Sequence, residues 1–430
     1  MSTERKAPPQ GFLPRKAAIT LLDAVTDEHR LMAELLPGPL GKLAPDERAR
    51  AQRLTLECLR YMDRCDRMLG PFLRNRPDPH VLNVLRLGTY EICQEGAAAH
   101  GVVNSCVEIV RGHKQLSHLG GLVNAVLRRV SEAGPEAWEK LPVPRMPKWL
   151  RKVLVGDFGK KIVEAFEISH TAGAPLDLTA KGDPAALAQA LGGILLPTGS
   201  VRLANAGQVS NLPGYEAGDW WVQDAAAAIP ARVLNAQPGE RVLDLCAAPG
   251  GKAMQMAAAG AHVTALDISG KRLARVAENL ARTGLSAEIV EGDALEYQAE
   301  PFDAILLDAP CTATGTIRRH PDLPYAKDGS DFPALFVLQE ELIDRALGLL
   351  KPGGRLIFCT CSLLIDEGEE QIKDALERNP GITVDATALN VPGIDPVWIS
   401  PEGGLRMRPD YWPDLGGMDG FFVAVLRKPV

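Results

Sequence analysis

The pattern of apolar and polar positions divides the chain into two regions with different periods. From Arg15 to about Ala133, apolar residues recur at intervals of three and four, the period of amphipathic helices. We therefore predict a flexible tail over residues 1–14 and a helical domain over residues 15–140. The predicted breaks between its helices are the proline- and glycine-containing stretches Pro37-Gly38-Pro39, Arg76-Pro77-Asp78-Pro79 and Gly120-Gly121.

From Arg241 onwards, short apolar runs alternate with helical stretches. This alternation predicts an α/β domain over residues 236–430, with a doubly wound parallel sheet and FFVAVLRK as an antiparallel edge strand. Residues 141–235 lie between the two regions. Their sequence predicts a proline-rich connector, linker helices and a small α+β segment that is expected to bind RNA. Within that segment, core packing is the preferred role of Trp220 and Trp221 over base stacking.

The first predicted strand of the α/β region continues into a turn of small residues. Residues 241–252 read RVLDLCAAPGGK, a buried strand, a glycine-rich turn and the start of a helix. Such corners bind nucleotides. The stretch has neither GxGxxG nor GxxxxGK[ST], which argues against NAD and ATP and favours an adenosine ligand without phosphates, such as S-adenosylmethionine. The alternative is a purely structural turn.

Acidic residues follow three successive predicted strands. Asp267, Asp293 and Asp308 stand at the ends of the second, third and fourth strands, where such sheets bind ligands. We expect Asp267 to accept hydrogen bonds from ribose hydroxyls and Asp293 to lie near the adenine amino group. Asp244 stands within the first strand and is expected to support the turn.

Two cysteines stand at the ends of neighbouring predicted strands. Cys311 follows the fourth strand in DAPC and Cys361 follows the fifth in CTCS, so both thiols can face one pocket because adjacent strands lie about 5 Å apart. A thiolate that adds to C6 of a pyrimidine makes C5 nucleophilic enough to accept a methyl group. Spacing alone does not decide which thiol attacks. Asp308 is expected to bind the N3/N4 edge of the base, and Cys246 and Cys359 are expected to be structural.

Composition and charge narrow the class of protein. A hydrophobic content of 46% and a charged content of 23% are typical of soluble proteins. No stretch approaches the roughly 20 apolar residues of a membrane span, and the N-terminus does not resemble a signal peptide, so we expect a cytoplasmic protein. The eight cysteines lack paired spacing and predict neither a metal site nor disulfides.

Charge is unevenly distributed along the chain. Residues 1–170 carry 26 Lys and Arg against 20 Asp and Glu, whereas residues 171–430 carry 21 against 34. A basic front half is compatible with RNA as a partner. The oligomeric state is not predicted by any pattern, although a monomer is favoured.

The helical region resembles a known RNA-binding module. LRLGTYEI, HGVVNSCVEIVR and GGLVNAVLRRV follow one another as in the NusB-like helical domain. This resemblance implies contacts to RNA. The cations expected near its phosphate backbone are Arg15, Lys16, Arg128 and Arg129.

The α/β region is similar to the RNA 5-methylcytosine methyltransferases. The similarity is carried by DLCAAPGGK, LDIS, GDA, DAPCTATGTIRRHPD, CTCS and DGFFVAVL. Together with the NusB-like front, these motifs resemble the RsmB (Sun/Fmu) branch, which methylates a cytosine of small-subunit ribosomal RNA. The resemblance implies a Rossmann-like class I methyltransferase domain that uses S-adenosylmethionine.

The same resemblance implies roles for individual residues. Cys361 matches the family's nucleophile, and Cys311 matches the cysteine that assists release of the product. The residues that match the donor-binding positions are Cys246, Ala247, Ala248, Pro249, Gly250, Gly251, Lys252, Asp267, Asp293 and Asp308.

One segment departs from the family pattern, and one loop has two interpretations. Leu176-Asp177-Leu178-Thr179 stands where the family often has a basic strand, so we expect an acidic residue in place of a basic RNA contact. Arg318, Arg319 and His320 are either an RNA-facing loop or ordinary surface charge. The alternative functions are methylation of another RNA such as tRNA, methylation of DNA, protein or a small molecule, and RNA binding without catalysis.

Overall fold

The computed structural model describes residues 11–35, 38, 40–204 and 207–430. It divides into two compact units, one reaching to Thr171 and including Arg319–Gly329, the other comprising Ala172–Arg318 and Ser330–Val430. The linker helices therefore group with the first unit and the small α+β segment with the second. The predicted domain boundaries at residues 140 and 235 stay predictions. Most of the predicted tail, and both prolines of the break at residues 37–39, lie outside the described residues.

The first unit is helical, as the period of its apolar residues predicts. Its helices are α1 (Phe12–Thr26), α2 (Met32–Leu35), α3 (Pro45–Arg60), α4 (Met62–Leu69), α5 (Pro79–Cys93), α6 (Ala99–Arg111), α7 (Gly120–Glu139), α8 (Lys148–Phe158) and α9 (Lys160–Ala172). Helix α1 begins at Phe12, so the end of the predicted tail is helical. Helix α5 is buried along nearly its whole length. Gly88 lets it approach α7, since a Cβ there would lie 2.8 Å from the Leu127 side chain.

One cation expected to contact RNA belongs to the core of this unit. Arg15 is buried, and its guanidinium donates to both carboxylate oxygens of Glu91, at 2.7 and 2.9 Å. The expectation that Arg15 lies near a phosphate backbone is therefore wrong. Lys16, Arg128 and Arg129 are exposed.

The second unit begins with a small antiparallel sheet. Its strands are β1 (Leu176–Ala180), β2 (Ile194–Leu195), β3 (Val201–Leu203) and β4 (Trp220–Val222), in the order β2-β3-β1-β4, with helix α10 (Pro184–Leu191) between β1 and β2. Both tryptophans of β4 are buried. The preferred core role of Trp220 and Trp221 is confirmed.

The acidic residue of β1 is not a surface group. Asp177 is completely buried, and its oxygens accept from Nε and Nη2 of Arg202 at 2.6 and 2.7 Å. The backbone N–H of Ala225 also donates to Asp177 at 3.0 Å. The expectation that Asp177 replaces a basic RNA contact is wrong, because this carboxylate joins β1, β3 and the following helix inside the unit.

The rest of the second unit is an α/β fold. The helices are α11 (Ala225–Leu234), α12 (Gly251–Ala258), α13 (Gly270–Thr283), α14 (Leu323–Ala326, which belongs to the first unit), α15 (Phe332–Gly348) and α16 (Glu369–Arg378). The strands are β5 (Arg241–Leu245), β6 (His262–Asp267), β7 (Glu288–Glu291), β8 (Phe302–Asp308), β9 (Leu350–Thr360), β10 (Thr383–Val384), β11 (Leu405–Met407) and β12 (Phe421–Arg427).

The large sheet is parallel at its centre. The order is β10-β12-β9-β8-β5-β6-β7, with β11 also paired to β12, and β5 to β9 form only parallel pairs with one another. Strand β12 is antiparallel to β9, as predicted, but it is not an edge strand because β10 and β11 pair with it on the other side. The carboxyl ends of β5, β6, β8 and β9 therefore lie along one edge of the sheet.

Two features are absent from the part of the chain that the structure describes. None of the helices found there is long and apolar enough to cross a membrane. Nor does that part of the chain bring together three or more His, Cys, Asp or Glu side chains in a group able to hold a metal ion.

Candidate active site

The turn after β5 is shaped by residues with positive φ. Cys246 has φ 62° and Gly250 has φ 99°. A Cβ at Gly250 would stand 3.1 Å from the Val276 side chain, so glycine is needed both for the backbone angle and for the approach to α13. The N–H of Gly250 donates to the carbonyl of Ala247 at 2.8 Å, which closes the turn immediately before α12.

Asp267 ties this turn to the end of β6. The side chain is buried and accepts from the backbone N–H groups of Ala248 and Ser269, at 3.1 and 3.0 Å. Asp293 lies two residues beyond β7, is exposed, and accepts from the N–H of Leu295 at 2.9 Å. Ile268, which the sequence reasoning missed, leaves 70% of its surface exposed directly beside Asp267. An isolated apolar side chain in that position suits the face of an adenine ring.

A cavity of about 400 Å³ adjoins the turn. Its lining includes Trp221, Gln223, Asp224, Ala247, Ala248, Pro249, Gly251, Lys252 and Asp308. Six of the ten predicted donor-binding residues thus meet at one cavity. The other four, Cys246, Gly250, Asp267 and Asp293, do not line it.

Lys252 joins the turn to the end of β8. Its Nζ donates to Oδ2 of Asp308 at 2.7 Å. Burial acts to lower the pKa of Lys252, but the nearby negative charges, chiefly Asp308, raise it above its usual value. Burial raises the pKa of Asp244 to about 8, although the Lys252 ammonium opposes that rise. The site therefore holds a protonated lysine that is paired with Asp308.

The two predicted thiols meet in the structure. Strands β8 and β9 are parallel neighbours, with Asp308 opposite Cys359, and the Sγ atoms of Cys311 and Cys361 lie 3.4 Å apart. The hydrogen bond to Cys361, together with burial, raises the pKa of Cys311 well above that of an ordinary thiol. Cys311 is therefore suited to remain protonated beside Cys361.

The other two cysteines of the sheet differ from this pair. Burial raises the pKa of Cys246 to about 12. Cys359 is completely buried, and burial also raises its pKa. Neither thiol is suited to ionise at neutral pH, which agrees with the structural roles expected for them.

Family models match both parts of the chain. The model described as 16S rRNA methyltransferase RsmB/F matches residues 231–427, and the model of the NusB family matches residues 13–132. The ribosomal RNA small subunit methyltransferase B of Pseudomonas putida is 37% identical over 96% of this chain and 98% of its own length. That of Xanthomonas campestris is 36% identical over 97% of this chain and 98% of its own length. The chain belongs to the RsmB/F family of 16S rRNA methyltransferases.

Solved structures of other proteins share the fold of this chain. The crystal structure of PH0851 superposes with a TM-score of 0.74 and 22% identity, over 99% of this chain and all of that one. A methyltransferase homologue from Pyrococcus horikoshii gives a TM-score of 0.54 and 26% identity, over 66% of this chain and 95% of the other. The predicted fold, a NusB-like helical region followed by a Rossmann-like methyltransferase domain, is confirmed.

One arginine that could have faced RNA in this RsmB/F protein is instead internal. Arg318 is completely buried and donates to Asp419 at 2.6 Å, to Asp224 at 2.7 Å and to the carbonyl of Gly416 at 2.9 Å. Both earlier interpretations of Arg318, RNA contact and surface charge, are wrong. His320, two residues later, is exposed.

Proposed function

We propose that this RsmB/F family member is an S-adenosylmethionine-dependent RNA cytosine-5 methyltransferase that acts on small-subunit ribosomal RNA. The observation that carries the proposal is the 3.4 Å contact between Cys311 and Cys361 at the ends of adjacent parallel strands. Asp308 stands at the end of one of these strands and binds Lys252 of the glycine-rich turn. One thiol of such a pair can act as the nucleophile that methylation of a pyrimidine carbon requires, and the other can assist its release.

The residues around the turn fit S-adenosylmethionine. Small residues at Ala247, Ala248 and Gly251 line the cavity and let a ligand approach the backbone. Asp267 would bind the ribose hydroxyls, and Ile268 would contact the adenine. Bound there, S-adenosylmethionine would supply an electrophilic methyl group.

Cys361 acts as the nucleophile in this proposal. Its thiolate forms a bond to C6 of the cytosine, and the electron pair of the C5–C6 double bond becomes available at C5, which accepts the methyl group. Asp308 accepts a hydrogen bond from the amino group of the base. Lys252 donates to Oδ2 of Asp308 and the Cys359 thiol donates to Oδ1 at 3.6 Å, so the base would use a remaining lone pair of this carboxylate.

Cys311 assists release of the methylated base. A base, for which solvent water suffices, must take the proton on C5 while the C6–S bond breaks; the electron pair of the C5–H bond restores the ring double bond, and that of the C6–S bond returns Cys361 as a thiolate. A protonated Cys311 can donate a hydrogen bond to the departing sulfur, and the raised pKa of Cys311 favours that protonated form. Loss of Cys311 should therefore slow release more than attack.

Two single substitutions test this division of roles. With labelled S-adenosylmethionine and unmodified 16S rRNA, Cys361→Ala should transfer no methyl group. Cys311→Ala should accumulate a protein–RNA adduct that survives denaturant. Cys93→Ala, which changes a buried thiol of the helical unit, is the matched control and should turn over normally. Normal turnover by Cys361→Ala would refute the nucleophile assignment, and absence of the adduct would refute the release role.

The RNA substrate is the second part of the proposal. The exposed cations Lys16, Arg128 and Arg129 on the helical unit support a polyanionic partner. Competition among 16S rRNA, tRNA, DNA and protein should leave methyl transfer to 16S rRNA dominant. Bisulfite mapping of 16S rRNA from a strain that lacks the protein should then show the loss of one 5-methylcytosine. Preferred methylation of tRNA or DNA would reject the assignment of substrate.

A further inference from the structure

A completely buried carboxylate stands behind the two thiols. Glu367 follows β9, six residues after Cys361. Its Oε1 accepts from the backbone N–H of Thr312 at 2.9 Å and from Nε2 of Gln339 at 3.0 Å, and its Oε2 accepts from the hydroxyl of Thr312 at 2.5 Å. Thr312 is the residue immediately after Cys311. The carboxylate therefore binds the Cys311 loop through both backbone and side chain.

Three hydroxyl groups continue this contact to the other loop. The Oγ atoms of Thr312, Thr314 and Ser362 form a triangle, in which Ser362 lies 3.1 Å from each threonine and the threonines lie 3.3 Å apart. Ser362 is the residue immediately after Cys361. The Ser362 hydroxyl also accepts from the N–H of Leu364 at 3.0 Å, and the Thr314 hydroxyl from the N–H of Leu363 at 2.9 Å.

The carboxylate fixes the role of Thr312 in this triangle. Each hydroxyl has one proton to donate. Thr312 gives its proton to Glu367, so Thr312 can only accept from Ser362 and Thr314. Ser362 and Thr314 each have one proton, and each can donate it within the triangle, so all four buried side chains find a partner. Loss of the Thr312 hydroxyl or of the carboxylate would leave a buried partner unpaired, which is costly.

The charge of Glu367 also acts on one thiol of the pair. Its carboxylate opposes ionisation of Cys311, adding to the effects of the Cys361 hydrogen bond and of burial on the pKa of Cys311. The two thiols lie only 3.4 Å apart, so a protonated Cys311 can donate a hydrogen bond to the sulfur of Cys361.

We infer that Glu367 is a positioning residue, which holds the Cys311 and Cys361 loops together through Thr312 and Ser362 and places a negative charge against the residue that follows Cys311. The structural part of this inference concerns the thiols themselves. Its consequence for methyl transfer rests on the proposed function. A readout that needs no RNA can therefore separate the two.

Glu367→Gln tests the charge with almost no change in shape. Iodoacetamide labelling across a pH series, followed by peptide mass spectrometry, reports the reactivity of each thiol. Glu370→Gln is the matched control, because Glu370 lies three residues away, is exposed and pairs with Lys373. We expect the ratio of Cys311 to Cys361 labelling to rise by about tenfold in Glu367→Gln, because the variant lacks the negative charge that opposes ionisation of Cys311. The same ratio in both variants would overturn the inference.

Thr312 provides a second test, which stands even if Glu367→Gln does not fold. Thr312→Val removes the hydroxyl that links the loops, whereas Thr312→Ser retains it. The rate at which diamide joins Cys311 and Cys361 in a disulfide should fall about tenfold with Val and be restored with Ser, because oriented proximity sets such rates. Equal rates in the two variants would exclude the link between the loops.

Methyl transfer to 16S rRNA is measured on the same samples. We expect the wild type to be active. The kcat should be lower in Glu367→Gln and in Thr312→Val than in the wild type, and Thr312→Ser should restore it. A wild type that transfers no methyl group would reject the proposed function, while the labelling and diamide results would still decide whether Glu367 positions the thiols.

Discussion

Replacement of Arg318 by methionine should destabilise the methyltransferase unit without weakening RNA binding. Arg318 is the buried cation between Asp224 and Asp419, whose side chains are each 4% exposed. Methionine fills much of the same volume but leaves both carboxylates without this cation. RNA binding should be unaffected because the guanidinium has no exposed surface through which to reach a phosphate.

The magnitude follows from the hydrogen bonds that would be lost. Two of them join the guanidinium to carboxylates, at 2.6 and 2.7 Å, and charge-assisted hydrogen bonds contribute about 1.5–3 kcal/mol each. Removal of one partner from a buried ion pair costs about 3–5 kcal/mol. A loss of ~4 kcal/mol in the free energy of unfolding corresponds to a fall of roughly 8–16 °C in the melting temperature of a unit of about 250 residues.

Calorimetry of the wild type and Arg318→Met would measure this fall. Addition of Asp419→Asn should recover part of it, because one of the two uncompensated charges is removed. RNA affinity is titrated against salt below the melting temperature, with Arg129→Met as the exposed control. The control should reduce the slope of log affinity against log salt by about 1, and Arg318→Met should not. An unchanged melting temperature with a reduced slope would refute the structural role and restore Arg318 as an RNA contact.

Three further predictions concern other buried or strained positions. Asp177→Asn and Arg202→Met should each lower the free energy of unfolding in urea by about 3–5 kcal/mol and leave RNA affinity unchanged; weaker RNA binding at full stability would contradict this. The pKa of Asp244 is raised from 3.8 to about 8, so the folded state retains a proton that the unfolded chain releases, and the unfolding free energy should fall as pH rises from about 4 to 8. In Asp244→Asn the unfolding free energy should no longer fall over this pH range because of this residue. The same dependence on pH in the variant and the wild type would argue against the raised pKa of Asp244. Gly250→Ala should lower the free energy of unfolding by about 1–3 kcal/mol because φ is 99° at this position. An unchanged free energy of unfolding would contradict this prediction.

The meeting of the two thiols was predictable because it depends on local patterns. Each cysteine follows an apolar run, the alternation of elements predicts a doubly wound sheet, and in a sheet of this type the two strands are parallel neighbours. A parallel pair brings its carboxyl ends to one edge, whatever the distance along the chain. Cys311 and Cys361 are 50 residues apart, yet their contact follows from the strand order alone.

The burial of charged residues was not predictable in this way. Arg15 pairs with Glu91, Asp177 with Arg202, and Arg318 with both Asp224 and Asp419, at separations of 76, 25, 94 and 101 residues. Nothing in the local sequence distinguishes such a cation from one at the surface, because its burial becomes tolerable only when the distant carboxylate is in place. All three residues were assigned to RNA contacts or surface charge for that reason.

Glu367 shows the same limit at the active site. It lies in a run of acidic residues, IDEGEEQIKDALE, that has the composition of a solvated surface. Only the fold turns this one side chain inward, against the N–H and the hydroxyl that follow Cys311. The sequence motifs DAPC and CTCS identify both thiols, whereas Glu367, the group that orients them, lies outside those motifs. A difference in reactivity between two chemically identical thiols therefore has its physical origin in the buried charge and hydroxyls behind them, and labelling of Glu367→Gln measures that origin directly.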